Sequence, residues 1–170
     1  MKEVLRIEDL TKKFKKKNFF SSDSDEVIAA DSVNFSLEQG KILAIAGQSG
    51  SGKSTIAKLI LRAIKPDSGK IFHNQKEIMD NSDELKKFRM KCQMIYQDPY
   101  DSINPRMTIS DIVSEPLEIH NVGTKKERKQ RVIETLEKVK LEPAEEISKK
   151  YPHMLSGGQR QRVVIARAIV

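Results

Sequence analysis

Cysteine and long apolar runs are scarce in this sequence, and their scarcity excludes several classes of protein. Cys92 is the only cysteine in 170 residues, so the chain can form neither an internal disulfide nor a cysteine-based zinc site. The apolar runs all fall short of the roughly 20 residues that span a membrane. Residues 1–10 also lack the apolar segment of a signal peptide. With 38% hydrophobic and 32% charged residues, the composition predicts a soluble globular chain, which does not exclude a membrane-bound partner.

The length suits one domain with its own hydrophobic core. Lys and Arg together number 31 and Asp and Glu 24, which gives a net charge of +7. Such a moderate excess favours anionic ligands or surfaces but says little about the fold.

The strongest local signal lies in residues 41–64. Gly47 is followed after four residues by Gly52, Lys53 and Ser54, which matches the phosphate-loop pattern G-x-x-x-x-G-K-[ST]. The apolar run 42–46 that precedes it has no alternation and predicts a buried parallel strand. Apolar residues at helical spacing follow Lys53 and predict a helix. The motif therefore lies between a strand and a helix, where its chemistry requires it.

The residue types of this loop explain how it binds phosphate. Glycines let the backbone approach an anion closely, and the amides at the helix start point towards it. Lys53 supplies a point charge for the β- and γ-phosphates, Ser54 a hydroxyl for Mg²⁺, and Thr55 faces the α-phosphate. The remaining residues of the loop contribute mainly backbone amides: Gln48, Ser49, Gly50, Ser51 and Gly52.

The first part of the chain is predicted as a small antiparallel sheet that leads into an α/β unit. Its strands cover Val4 to Leu10 and Val27 to Leu37. After the phosphate-loop helix, Lys70 to His73 is predicted as a further short strand, with a hairpin turn at residues 74–75. A basic stretch around Phe14 is interpreted as a solvated strand end or turn. The next predicted elements are a helix over Asp83 to Lys91 and a strand over Cys92 to Tyr96, which ends just before Gln97.

Residues 98–155 are predicted to be helical and to contain no strand. Thr108 and Thr124 each begin a capping-box pattern, a helix runs from Lys125 to about Lys140, and Pro143 opens a shorter one. Then comes Leu155-Ser-Gly-Gly-Gln159, where Ser156 is the expected N-cap of a further helix. Its glycines leave a bare, anion-binding helix start, although the motif alone is equally compatible with a simple cap.

The phosphate loop, the isolated Gln97 and the LSGGQ stretch together resemble the ATP-binding subunit of ABC transporters, over essentially all 170 residues. Residues 96–107 (YQDPYDSINPRM) and 151–158 (YPHMLSGG) resemble the oligopeptide/dipeptide importer subgroup, which also contains nickel importers. The resemblance implies an α/β P-loop NTPase with a RecA-like core. Residues 1–97 would hold the antiparallel β subdomain and the first part of the core, 98–155 a helical subdomain, and 156–170 the signature helix leading back to the core.

The resemblance also implies roles for single residues. Phe14 would stack on adenine, with Phe19 and Phe20 as rivals. Lys53 and Gln97 would be catalytic, and Gln97 would ligate Mg²⁺ or position water. The signature residues would contact the γ-phosphate of ATP bound by a second subunit: Ser156, Gly157, Gly158 and Gln159.

The implied partners are a second ATP-binding subunit, identical or paralogous and arranged head-to-tail, and transmembrane permease subunits. The implied location is the cytoplasmic face of the cell membrane, without insertion into the bilayer. No nucleic-acid partner is expected. The function would be import of oligopeptides, dipeptides or similar small solutes, driven by ATP hydrolysis.

One departure from the family pattern is the end of the sequence at Val170. The family continues there into a strand ending in Asp and Glu, which holds the general base. We therefore expect no hydrolysis by this chain alone, and exposed apolar edges where core strands are missing. Two alternatives remain: a soluble ABC-type ATPase acting on nucleic acid or ribosomes, suggested by the basic clusters, and a non-catalytic nucleotide-binding fragment.

Overall fold

The computed structural model describes residues 2–16, 25–80, 83–100 and 102–170. The chain divides into two compact units, residues 1–92 and 93–170. The division predicted after residue 97 stays a prediction.

The first unit is built on a four-stranded antiparallel sheet with the order β2-β1-β3-β4. Its strands are β1 (Glu3–Lys16), β2 (Asp25–Glu38), β3 (Ser68–His73) and β4 (Lys76–Glu77). The first three confirm predicted strands, β1 and β2 are longer than expected, and β4 was not predicted. The turn between β3 and β4 falls at residues 74–75, as predicted, with both backbones at positive φ.

Two helices pack on this sheet and form its core. They are α1 (Lys53–Ile60) and α2 (Asp83–Lys91), and both were predicted. Arg89 of α2 donates hydrogen bonds to the carbonyl oxygens of Leu61 (3.2 Å) and Arg62 (2.8 Å), just beyond the end of α1. The fully buried side chains come from β1, β3 and both helices: Ile7, Leu10, Leu59, Ile71 and Phe88. Each contributes about 1.5–3 kcal/mol by burial.

Two predicted strands are wrong. Residues 41–46 and 92–96 have no strand partner in the described part of the chain. Ile42 is 97% exposed, and Leu43 and Ile45 are also exposed. An apolar run becomes a buried strand only when neighbouring strands pair with it and layers cover both faces. The described sheet offers neither at these positions.

The second unit is helical, and its described residues contain no strand, as predicted for residues 98–155. It holds α3 (Ile109–Ile119), α4 (Lys125–Lys138), α5 (Ala144–Ser148) and α6 (Gly157–Ile169), with a short 3-10 helix (Pro152–Met154) before α6. None of the helices in the described ranges is long and apolar enough to cross a bilayer.

Helix α6 belongs to the core of this second unit. Its Val163, Val164 and Ala166 are buried against residues of α3 and α4, among them Val113 and Leu136. The predicted capping boxes at Thr108 and Thr124 both form, because each threonine oxygen accepts from a backbone amide three residues on. The signature helix is thus fixed by apolar packing and not only by its first turn.

Candidate nucleotide-binding site

Glycine is sterically required at position 52, the last glycine of the phosphate loop. Gly52 has φ +89, and a Cβ built on it would lie 2.0 Å from the carbonyl oxygen of Ala29 in β2. Any larger residue would therefore both strain the backbone and collide with the strand. At the start of the loop, a Cβ on Gly47 would lie 2.8 Å from Ser51 Oγ. The glycines keep the loop tightly folded against β2.

Helix α1 begins without a side-chain cap, unlike α3, α4 and α6. Its N-cap residue is Gly52 in a left-handed conformation, and its first turn carries no acidic side chain. The first helical bond runs from Ile56 N to Gly52 O at 2.9 Å. Among the described residues, the amides of Lys53, Ser54 and Thr55 therefore have no hydrogen-bond acceptor. Such amides, with the helix dipole behind them, form an anion-binding surface.

The ammonium of Lys53 lies over this loop and has no ion pair with any carboxylate that the structure describes. Its Nζ donates to the carbonyl oxygens of Gly47 (2.8 Å) and Gln48 (2.5 Å) and lies 3.3 Å from Ser51 Oγ. Neutral carbonyls orient the charge but do not cancel it. The loop therefore presents one fixed positive charge together with the bare helix start.

Phe14 lies on β1, which pairs with β2, the strand that the phosphate loop contacts. It is 40% exposed on β1 and pairs with Val27 of β2, and Lys12 Nζ lies 5.6 Å from its ring centroid. Val27 is two residues from Ala29, which contacts Gly52, and this separation is about 7 Å along a strand. Phe19 and Phe20, the rival adenine contacts, lie outside the described residues.

The second unit contains the other predicted site residues. Gln97 is exposed in an irregular segment, and just after it the Asp98 carboxylate accepts from Tyr100 N at 2.8 Å. The guanidinium of Arg160 lies over the ring of Tyr100, a contact that was not predicted. No local spacing predicts a contact between residues so far apart, so the sequence offered no signal for it.

Ser156 is the N-cap of α6, as predicted. Its Oγ accepts from Gln159 N at 3.3 Å, and Gln159 Oε1 accepts from Ser156 N at 3.0 Å, so the Gln159 side-chain oxygen serves the capping box. The Ser156 hydroxyl can still donate its proton. A Cβ on Gly157 or Gly158 would meet nothing within 4 Å, and neither has positive φ. Nothing within the described chain therefore requires glycine at these two positions.

The residues present suit a polyphosphate better than a protein-held metal. The described part of the chain has no group of three or more His, Cys, Asp or Glu side chains that could hold a metal ion. Ser54 is exposed in the first turn of α1 and offers a hydroxyl oxygen. A magnesium ion here would depend on phosphate oxygens and water for most of its ligands.

Comparison with known proteins places this geometry in a family. The family model described as ABC transporter matches residues 30–170. The chain is 41% identical over 169 residues to the oligopeptide transport ATP-binding protein AppF of Bacillus subtilis, covering 98% of this chain and 51% of that protein. It is 42% identical over 156 residues to the dipeptide transport ATP-binding protein DppF of Haemophilus influenzae, covering 91% and 47%.

A solved structure agrees with the sequence relatives. The chain superposes with a TM-score of 0.82 on a dimeric post-hydrolysis state of the ATP-binding cassette MJ0796 bound to ADP and Pi. The two are 32% identical, and the match covers 97% of this chain and 68% of that one. The chain spans about half the length of the curated relatives it matches. The predicted α/β P-loop NTPase class is confirmed, and the chain belongs to the ABC transporter family.

Proposed function

We propose that this chain is the ATP-binding part of an ABC transporter subunit that couples ATP hydrolysis to the import of oligopeptides or dipeptides. One observation carries the proposal: helix α1 begins without a side-chain cap, and the ammonium of its first residue, Lys53, donates to carbonyl oxygens of the glycine loop. The names of AppF and DppF support a peptide as the solute.

The nucleotide would lie along β2. Its phosphates would accept from the first-turn amides and from Lys53, and its base would stack on Phe14. Val27 pairs with Phe14, and Ala29, two residues further along β2, lies against Gly52. This short separation supports one ligand that reaches both the Phe14 ring and the phosphate loop. Stacking on an aromatic ring is worth about 1–3 kcal/mol per base. Bound Mg²⁺ would neutralise phosphate charge, with Ser54 as its ligand from the first unit.

The signature residues would act on a nucleotide held by a second subunit. Gly157 and Gly158 begin α6 in open space, where alanine would be more stable by up to about 1 kcal/mol each. Glycine at both positions fits the close approach of a phosphate to the amides of that first turn. The dimeric form of MJ0796 supports pairing of two cassettes. The pair would be head-to-tail, with each signature turn facing the partner's phosphate loop.

Gln97 and the loop that follows it would report nucleotide occupancy to a transmembrane permease on the cytoplasmic face of the membrane. The residue is exposed and precedes the helical segment. Hydrolysis by the chain alone is not expected, because its sequence contains no apolar strand that ends in Asp and Glu. Phosphate release from ATP should therefore stay at background unless the complete subunit is used.

Nucleotide binding tests the proposal. Calorimetric titration with ATP and Mg²⁺ should show binding to the chain, and Lys53→Ala should weaken it about 10- to 100-fold, the value of a charged hydrogen bond. Lys58→Ala, which removes an ammonium from the last turn of the same helix, is the matched control and should bind as the parent does. Equal affinity of the Lys53 and Lys58 variants would refute the site.

A further inference from the structure

We propose that a second anion site, specific for phosphate-type oxyanions, lies in the first unit between the β3–β4 hairpin and α2. The site is a cavity of about 200 Å³, large enough for a phosphate group with ordered water. None of its lining residues belongs to the phosphate loop. It is independent of the function proposed above.

Unpaired positive charge is the first observation. Lys76 of the hairpin and Lys87 and Lys91 of α2 line the cavity, and none has an ion pair among the residues that the structure describes. Neighbouring lysines do: Lys70 pairs with Glu77 at 3.8 Å and Lys86 with Asp83 at 3.6 Å. An anion bound in the cavity would compensate these three charges.

The carboxylate content of the cavity leaves its charge positive. Glu84 is the one acidic side chain among the lining residues, against three lysines, so the local charge is about +2 when His73 is neutral. A phosphate carries a charge of about −1.5 to −2 near neutral pH and offers several acceptor oxygens. A carboxylate carries a single negative charge and two acceptor oxygens, which match neither the charge of the cavity nor its three ammonium donors. The balance of charge therefore favours phosphate.

The floor of the cavity is apolar. Phe88 is 1% exposed and Ile78 is 2% exposed, and the Phe88 ring lies 5.2 Å from the His73 ring, centroid to centroid. The cavity therefore combines ammonium groups at an exposed rim with an apolar floor.

His73, which lines the cavity, can report the binding of an anion there. Asn74 Nδ2 lies 3.0 Å from His73 Nε2, so in the neutral ring Nε2 accepts this hydrogen bond. Burial, and then the positive charges of Lys91 and Lys2, hold the pKa of His73 below its usual value. Lys76, Lys87 and Glu84 face the same cavity. A bound dianion would offset the lysine charges and raise the pKa of His73.

Titration of the histidine rings by NMR tests this on the full chain. Inorganic phosphate is compared with chloride at equal ionic strength. The pKa of His73 should rise by about one unit in phosphate, whereas His120 and His153 of the second unit should not move. A parallel titration with glycerol phosphate distinguishes the free ion from a phosphate ester: a rise with phosphate alone assigns the free ion, and a rise with both assigns esters as well.

Variants assign the response to the cavity. Lys87→Gln with Lys91→Gln should abolish the phosphate-dependent rise, and Lys76→Gln, on the other wall, should reduce it. The matched control Lys86→Gln, on the same helix outside the cavity, should keep the full rise. Lys53→Ala should keep it too, which separates this site from the phosphate loop.

The proposal is overturned by any of four results. These are no rise in the pKa of His73 with phosphate, an equal shift of all three histidines, a full rise in the Lys87/Lys91 double variant, or loss of the rise in Lys53→Ala. The last result would attribute the effect to the phosphate loop, while the function proposed for that loop would stand.

Discussion

The guanidinium carbon of Arg160 lies 4.0 Å from the centroid of the Tyr100 ring. Arg160 also donates from Nε to Leu155 O at 3.0 Å, so the same side chain holds the residue before Ser156. Farther along α6, Arg167 donates from Nη1 to Ser102 O at 2.6 Å. The segment after Gln97 is thus tied to α6 at two points, and movement of one would displace the other.

The first prediction concerns this link. In a double-mutant cycle, Tyr100→Leu and Arg160→Ala should be coupled by about 0.5–1 kcal/mol in the free energy of unfolding, the range for an exposed cation–π contact. Urea unfolding measures it. Tyr151→Leu, at an exposed tyrosine stacked on His153, should show no coupling to Arg160→Ala. Additive effects of the Tyr100 and Arg160 changes would mean that the contact carries no coupling.

Replacing signature glycine should separate stability from function. Gly158→Ala should leave the stability unchanged or raise it by up to about 1 kcal/mol, because the added Cβ meets open space. The same change should weaken nucleotide-dependent pairing, measured by sedimentation with ATP. The control is Gly123→Ala, which should destabilise because Gly123 has φ +69 and its Cβ would lie 3.3 Å from Glu127 Oε2. Undiminished pairing of the Gly158 variant would contradict the proposed role.

Two glycines of the phosphate loop should differ in their tolerance of alanine. Gly52→Ala should cost at least about 2–3 kcal/mol, because backbone strain adds to a collision with Ala29. Gly50→Ala carries strain at φ +82 but meets no atom within 4 Å, so about 1–2 kcal/mol is expected. Urea unfolding of both variants measures the difference. Equal losses would indicate that the contact with β2 does not shape the loop.

The capping box of α4 should contribute an acid-sensitive part of the stability. Hydrogen bonds from the Thr124 backbone and side chain lower the pKa of Glu127 below its usual 4.5. The folded state therefore favours the carboxylate, and its contribution is present above pH 4.5 and lost as the pH falls through the lowered pKa. Glu127→Gln keeps a capping-box residue without titrating. The parent should lose more stability than this variant below pH 4.5, and parallel pH profiles would disprove the linkage.

Local rules predicted much of the fold because their causes are local. Thr108, Thr124 and Ser156 cap helices through contacts three residues away, and the turn before β4 needs only its own backbone. The run 42–46 failed for the opposite reason: its burial depends on strands elsewhere, and periodicity cannot tell whether they are present.

The site divides in the same way. Glycine and lysine spacing predicted the phosphate loop, since the motif is contiguous. The pairing of Phe14 with Val27 depends on strand register, which includes several irregularities between β1 and β2. The contact of Arg160 with Tyr100 depends on tertiary packing, so no sequence pattern announced it.

Backbone amide NMR during addition of ATP tests the central claim most directly. We predict that the amide signals of Lys53, Ser54 and Thr55 shift on addition of ATP and do not shift with adenosine, since only the phosphates reach the start of α1. Unchanged signals at these three residues, with shifts elsewhere in the chain, would contradict the account.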